Sequence, residues 1–131
     1  MPRYMLDTDT VSFALRGQGR VAARLLEQRP SDCCISAITL AELRYGAAMK
    51  RSRTLDRLID TFAATIAALP FDRAGADRFG SVAAALARQG KPIGPFDTAI
   101  AAHALSLDLT LVTNNLKHFG QVTGLRLENW L

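Results

Sequence analysis

The sequence predicts an α/β protein, with a parallel sheet of about five strands flanked by helices on both faces. Three observations carry that expectation. Short apolar stretches alternate with helix-length segments along the chain, and strands separated by helices pair in parallel. The stretch Cys33-Cys34-Ile35-Ser36 reads as a buried strand leading directly into a helical segment. At 131 residues, with 49% apolar and 21% charged, the chain fits one ordinary domain, residues 1–131, that can bury a real core.

The elements follow in order. Arg3 to Asp7 is a short apolar stretch that stops at acidic and hydroxyl residues, and Thr10 to Leu15 is a helix that Asp9 could cap. Val21 to Glu27 is a second helical piece. After the strand at Cys33–Ser36 comes a helix over Ile38 to Met49. In the next helix Leu55, Leu58, Ile59, Phe62 and Ile66 share one face, while Arg57, Asp60 and Thr61 point away. Ala67 to Phe71 is a short strand broken by Pro70, and Ala74 to Arg88 is an alanine-rich helix closed by Gly90. Lys91 to Phe96 carries two prolines and a glycine and reads as a loop. A helix runs from Asp97 through Leu105, a strand occupies Thr110 to Thr113, and Leu125 to Glu128 offers a last short strand.

Composition narrows the class. Disorder and a disulfide-stapled miniprotein are excluded, because the apolar fraction is high and the only cysteines, Cys33 and Cys34, are adjacent. They are expected to be reduced core residues. The longest charge-free stretch, Thr61 to Phe71, is far shorter than the ~20 residues of a membrane span, and Arg3 and Asp7 interrupt any secretory signal at the start. A cytoplasmic protein is expected. The formal charge of +4 and the cluster Arg44, Lys50, Arg51, Arg53 and Arg57 favour a polyanionic partner, although a modest positive charge also serves solubility.

Glutamate is scarce, so the position of each acid can be inspected. Asp7 ends the first strand, Glu42 lies early in the helix after the second, and Asp97 opens the helix after the Pro-Gly loop. The fourth strand ends at Thr113-Asn114-Asn115. In a doubly wound sheet these positions share the carboxyl edge, where ligands gather. Carboxylates brought together repel one another, and a hard divalent cation such as Mg²⁺ relieves that repulsion. Each acid also has a bland reading: Asp7 and Asp9 as turn or cap residues, Asp97 as a helix cap, Glu42 as a solvated neighbour of Arg44.

Four segments carry a resemblance. Met5-Leu6-Asp7-Thr8-Asp9-Thr10, Ile35 through Gly46 (with Thr39, Glu42 and Arg44), Ile93 through Ala104 (with Pro95, Phe96, Asp97 and Thr98) and Leu111-Val112-Thr113-Asn114-Asn115 resemble PIN domains of the VapC toxin type, as does the terminal Gly124 to Trp130. The resemblance implies a metal-dependent endoribonuclease acting on RNA, with one or two Mg²⁺ or Mn²⁺ ions held by Asp7, Glu42 and Asp97. It also implies inhibition by a VapB-type antitoxin, a homodimeric toxin and higher toxin-antitoxin oligomers. Relatives usually add a fourth acid after the last long strand. Here Asn114 and Asn115 are amides and His118 stands in the expected acidic position.

Within that reading, Asp97 or Glu42 is the better candidate for accepting a proton, Asn115 could supply a neutral oxygen, and Thr8 or Thr113 could orient a ligand or water. His118 could contact RNA or replace an acid. Arg44, Lys50, Arg51 and Arg53 could guide the RNA backbone, with a solvated helix face as the plain alternative. His103, Trp130 and Phe119 read as packing residues. Two competitors stand beside the nuclease: a catalytically weakened metal- or RNA-binding module, and a phosphoacceptor receiver domain loosely imitated by Asp7, Asp9, Asp72, Thr113 and Lys117. In the second, Glu42 and Asp97 would have no task.

Overall fold

The computed structural model describes residues 1–131. Five strands are present: β1 (Tyr4–Leu6), β2 (Cys33–Ser36), β3 (Ala67–Leu69), β4 (Thr110–Val112) and β5 (Leu127–Glu128). Seven helices accompany them: α1 (Thr8–Leu15), α2 (Val21–Leu26), α3 (Ala37–Lys50), α4 (Arg53–Thr65), α5 (Arg73–Arg88), α6 (Pro95–Ser106) and α7 (Leu116–Phe119). All strand pairs are parallel, in the order β3-β2-β1-β4-β5. The chain builds outward from β1 through β2 to β3 and then crosses to the other side for β4. The switch point therefore lies between β1 and β4.

Alternation along the central strands divides the core in two. Met5, Cys34 and Leu111 face one side, where Leu86 of α5 and Ile100, Ala101 and Ala104 of α6 cover them. Leu6, Cys33, Ile35 and Val112 face the other, against Val11 of α1, Val21 of α2, Leu43 and Ala47 of α3 and Ile59 of α4. Trp130 and Phe119 are fully buried, one in each half. The tryptophan packs edge-on against Tyr4 and donates its indole N–H to Glu128 Oε1 at 3.0 Å. Cys33 and Cys34 are free and buried, and burial pushes their thiols up to about 11 and about 12. No helix is long and apolar enough to cross a membrane.

Several boundaries differ from the sequence expectation. The first helix starts at Thr8, and Asp7, not Asp9, is its cap: the Asp7 carboxylate accepts the Thr10 amide at 2.9 Å. Both aspartates suit a cap, and the backbone decides between them: Asp7 is still extended, and the helical turn begins at Thr8. The sixth helix begins at Pro95, inside the expected loop, because proline is at home in a first helical turn where its missing N–H costs nothing. A 3₁₀ turn at Pro30–Asp32 and the short α7 have too few residues for a periodic signal. Along α4 and its C-cap, Ile59 and Ile66 are buried and Leu55 and Phe62 pack beside them, but Leu58 lies at the exposed margin of the stripe. That apolar face is used by the domain's own core.

Candidate active site at the carboxyl edge of the sheet

Asp7 follows β1 at the switch point and is only 3% exposed. A carboxylate is tolerated there because it caps α1, whose first-turn N–H groups carry partial positive charge. Burial nevertheless raises its pKa, against the hydroxyls of Thr113 and Thr10 and the Thr10 amide, with Asp9 adding repulsion. Thr10 also donates to the Val112 carbonyl at 3.1 Å, which ties the start of α1 to the end of β4.

Glu42 projects from the second turn of α3, whose cap is Ser36 at the end of β2. The Thr8 hydroxyl donates to Glu42 Oε1 at 2.7 Å, and Thr39 Oγ1 lies 3.2 Å from the same hydroxyl. A hydroxyl has one proton to give, so with Thr8 committed to the carboxylate, Thr39 is left to donate to Thr8. Burial raises the Glu42 pKa, the Thr8 bond opposes this, and Asp97, Asp9 and Asp7 raise it further.

Asp97 stands in the first turn of α6. Burial raises its pKa, contact with His118 opposes, and Asp9 adds to the rise. His118 Nδ1 lies 3.7 Å from Asp97 Oδ2, with the imidazole about half exposed. The three acids of the sequence expectation thus share one electrostatic neighbourhood. Asp9 is a fourth member that the sequence reading placed as a turn or cap residue, or as an acid of the receiver alternative, and not among the acids of the nuclease site. With the helix starting at Thr8, Asp9 falls in its exposed first turn and its charge bears on all three. The Asp7-Thr8-Asp9 spacing contains that signal once the helix start is known.

Other candidates are placed differently. Asn115 Oδ1 caps α7 by accepting the His118 amide at 3.2 Å, so that oxygen is already in use. Its neighbour Asn114 instead has a buried Oδ1 with no partner. Thr113 accepts the Asn115 amide at 2.9 Å and holds the turn after β4. Arg44 is engaged by two acids of α4, Asp56 at 2.8 Å and Asp60 at 2.6 Å, which pins α3 to α4 instead of offering a free cation. Lys50, Arg51 and Arg53 are exposed. His103 is buried, bonded to Ser36 Oγ at 2.8 Å, and burial lowers its pKa. Asp72 caps α5 beyond the edge strand β3, two strands away from β1, and Lys117 is exposed on α7, so the receiver arrangement is not formed.

The donor set is one for a hard cation. Every acidic candidate offers oxygen, burial and the repulsion of neighbouring acids raise the pKa values of Asp7, Glu42 and Asp97, and the Asn114 oxygen lies unpartnered at the same edge. No three of these groups converge closely enough to enclose an ion by themselves. A cation here would be reached by one or two carboxylates, with water completing its shell, which is the coordination Mg²⁺ favours.

Fold and acids together define an α/β domain of the PIN class. A family model for the PIN domain matches residues 4–125. The chain is 41% identical to the tRNA(fMet)-specific endonuclease VapC of Shigella flexneri, over 99% of each chain. It is 40% identical to ribonuclease VapC2 of Haemophilus influenzae over the full length of both. The DNA-bound VapBC structure from Salmonella typhimurium superposes with a TM-score of 0.90 at 38% identity and covers 100% of each chain. VapBC2 of Rickettsia felis, bound to a promoter fragment, superposes at 0.89 and 33% identity over 98% of each. The chain belongs to the PIN-domain family, as a toxin of the VapC type. Nucleases of this family generally use a divalent metal.

Proposed function

We propose that this chain, residues 1–131 working as one PIN domain, is the ribonuclease toxin of a type II toxin-antitoxin pair. It hydrolyses phosphodiester bonds of RNA at Asp7, Glu42 and Asp97, with Mg²⁺ or Mn²⁺ as the metal. The observation that carries this is the placement of Asp7, Glu42 and Asp97 within one electrostatic neighbourhood at the switch-point edge of a fold shared end to end with VapC ribonucleases. The initiator tRNA named for the Shigella relative is the first substrate to test. A VapB-type antitoxin, a homodimeric toxin and a cytoplasmic location belong to the same reading. Structures of VapBC complexes support the first, and the absence of a membrane-crossing helix is compatible with the last.

Asp7 and Asp97, with Glu42 or water between, would hold the metal. When bound, the ion supplies charge neutralisation at the phosphate and lowers the pKa of a coordinated water. The chain's own residues do the rest. Thr8 holds Glu42 in one orientation, and Thr10 fixes Asp7 through its amide. Glu42 and Asp97, whose raised pKa values suit a proton acceptor, would take the proton of the attacking water. His118 beside Asp97 is a donor able to approach a phosphate oxygen or leaving group from the exposed side.

The test is cleavage of total RNA and of initiator tRNA by the purified chain, with and without Mg²⁺ or Mn²⁺, beside an Asp7→Asn control. Metal-dependent cuts that the control lacks support the reading. A metal-induced rise in melting temperature without any cuts would favour a metal-binding module that has lost hydrolysis.

A further inference from the structure

The acids occupy only one end of a longer feature. Between α1 and α3 runs a cleft of about 150 Å³ lined by Thr8, Ser12, Arg16, Glu42, Gly46 and Lys50, with Leu15, Leu43 and Leu55 at its apolar floor. The polar lining forms two ladders. Thr8, Ser12 and Arg16 recur every four residues along α1 and its C-cap, and Glu42, Gly46 and Lys50 do the same along α3. At the sheet edge the ladders meet in the Thr8–Glu42 hydrogen bond of 2.7 Å. At the far end, about 12 Å along the helix axis, both present an exposed cation. Neither Arg16 nor Lys50 forms an ion pair with any acid, in contrast to Arg44.

Gly46 sits between these ends. Glycine inside a helix costs about 1 kcal/mol relative to alanine. Nothing in the fold requires it: a Cβ built there would meet no atom within 4 Å, and the residue has no left-handed backbone. What the missing side chain does provide is space in the middle of the cleft.

We propose that this cleft is an extended subsite for the substrate's sugar-phosphate backbone. The strand leaves the acids over Gly46, and Arg16 with Lys50 holds a phosphate about three nucleotides from the scissile one. The inference rests on the nuclease reading above and adds Arg16, Ser12 and Gly46 to it. Charge order favours a polyanion. A stacked strand advances about 3.4 Å per phosphate, so the distance from acids to cations covers more than one nucleotide. The guanidinium and the ammonium supply the attraction that the acid cluster lacks. Ser12, midway, offers a hydroxyl to a phosphate or ribose oxygen.

The test uses the full chain in EDTA, where no cleavage occurs, and a fluorescein-labelled single-stranded RNA decamer read by anisotropy. Three proteins are compared: the parent, Arg16→Gln/Lys50→Gln and Gly46→Leu. The double variant should bind about tenfold more weakly at low salt, with the slope of log affinity against log salt reduced by about 1.4, the loss of two phosphate contacts to a single strand. Gly46→Leu should also bind more weakly while melting no lower than the parent, because leucine is the better helix former and the space is open. Equal binding by parent and double variant overturns the proposal. So does a double variant that binds RNA normally and only escapes antitoxin inhibition, which would make the cleft a peptide groove. Loss of metal-dependent cleavage in the parent with the anisotropy differences intact would count against the nuclease reading alone.

Discussion

Replacing Thr8 with valine removes the hydroxyl that orients Glu42, one of the candidate catalytic acids. Valine keeps the branched shape and has nearly the same helix propensity, so the change removes the hydroxyl, its bond to Glu42 and the bond it accepts from the buried Thr39. The bond is 2.7 Å long and reaches a half-buried carboxylate oxygen of Glu42. Hydrogen bonds to charged groups contribute about 1.5–3 kcal/mol, and partial solvent access places this one near about 1.5 kcal/mol. For 131 residues the unfolding entropy near the midpoint is about 0.28 kcal/mol/K, so the metal-free variant should melt at least about 5 °C below the parent, the lost Thr39 bond adding to the fall. The sign of the pH dependence follows from the Glu42 pKa. The Thr8 bond stabilises the carboxylate and so opposes the upward shift caused by burial. The stability gap should therefore be full where Glu42 is ionised and should close as pH falls through its raised pKa. Differential scanning calorimetry at several pH values, beside cleavage rates for Thr8→Val and Thr8→Ser, checks both parts. Serine should restore most of the stability and of kcat. A valine variant that melts and cleaves like the parent, or a serine variant no better than valine, would refute the positioning argument.

Asp7→Asn should abolish cleavage yet stabilise the metal-free protein at neutral pH, since asparagine retains the cap without the buried charge. Because the folded Asp7 pKa is raised, the parent loses stability as pH climbs from 3.8 through that value, so the gap should open with pH and be absent in acid; thermal melts across that range measure it. Divalent metal should raise the parent's melting temperature and leave Asp7→Asn nearly unmoved. Arg44→Gln should leave the KM for RNA within about twofold, because its guanidinium is already paired with Asp56 and Asp60, a change checked by steady-state cleavage. Asp72→Ala should cost about 1 kcal/mol of stability through the lost cap of α5 while kcat stays unchanged, which calorimetry and the cleavage assay separate. Cys33 and Cys34 should resist iodoacetamide at pH 8 until the protein unfolds, as mass spectrometry would show, since both thiols are buried and titrate at about 11 and about 12.

Much of the molecule was legible because it depends on near neighbours in sequence. The apolar run Cys33–Ile35, flanked by helical periods, is a strand buried on both faces wherever it is placed, and it alternates into the two halves of the core. The strand and helix order puts Asp7, Glu42 and Asp97 at the ends of elements that a doubly wound sheet must align. His103, Trp130 and Phe119 are packing residues, as their surroundings in sequence suggest.

What the sequence could not settle are choices between groups of equal local merit. Asp7 and Asp9 are equally good caps; only the point at which the chain leaves β1 and turns helical assigns the cap to Asp7 and puts Asp9 in the first turn, where its charge acts on the other acids. Asn114 and Asn115 are chemically identical, and only the closure of α7 uses the oxygen of the second and leaves that of the first unpartnered. Arg44 and Lys50 are two cations on one helix; the approach of α4 neutralises the first, and the packing of α1 beside α3 leaves the second at the mouth of a cleft with Arg16. Fold class and acid identity are written in periodicity and residue type, which act over a few residues. The partner each polar group receives is set by which elements meet, and that is decided by packing between segments far apart in the chain.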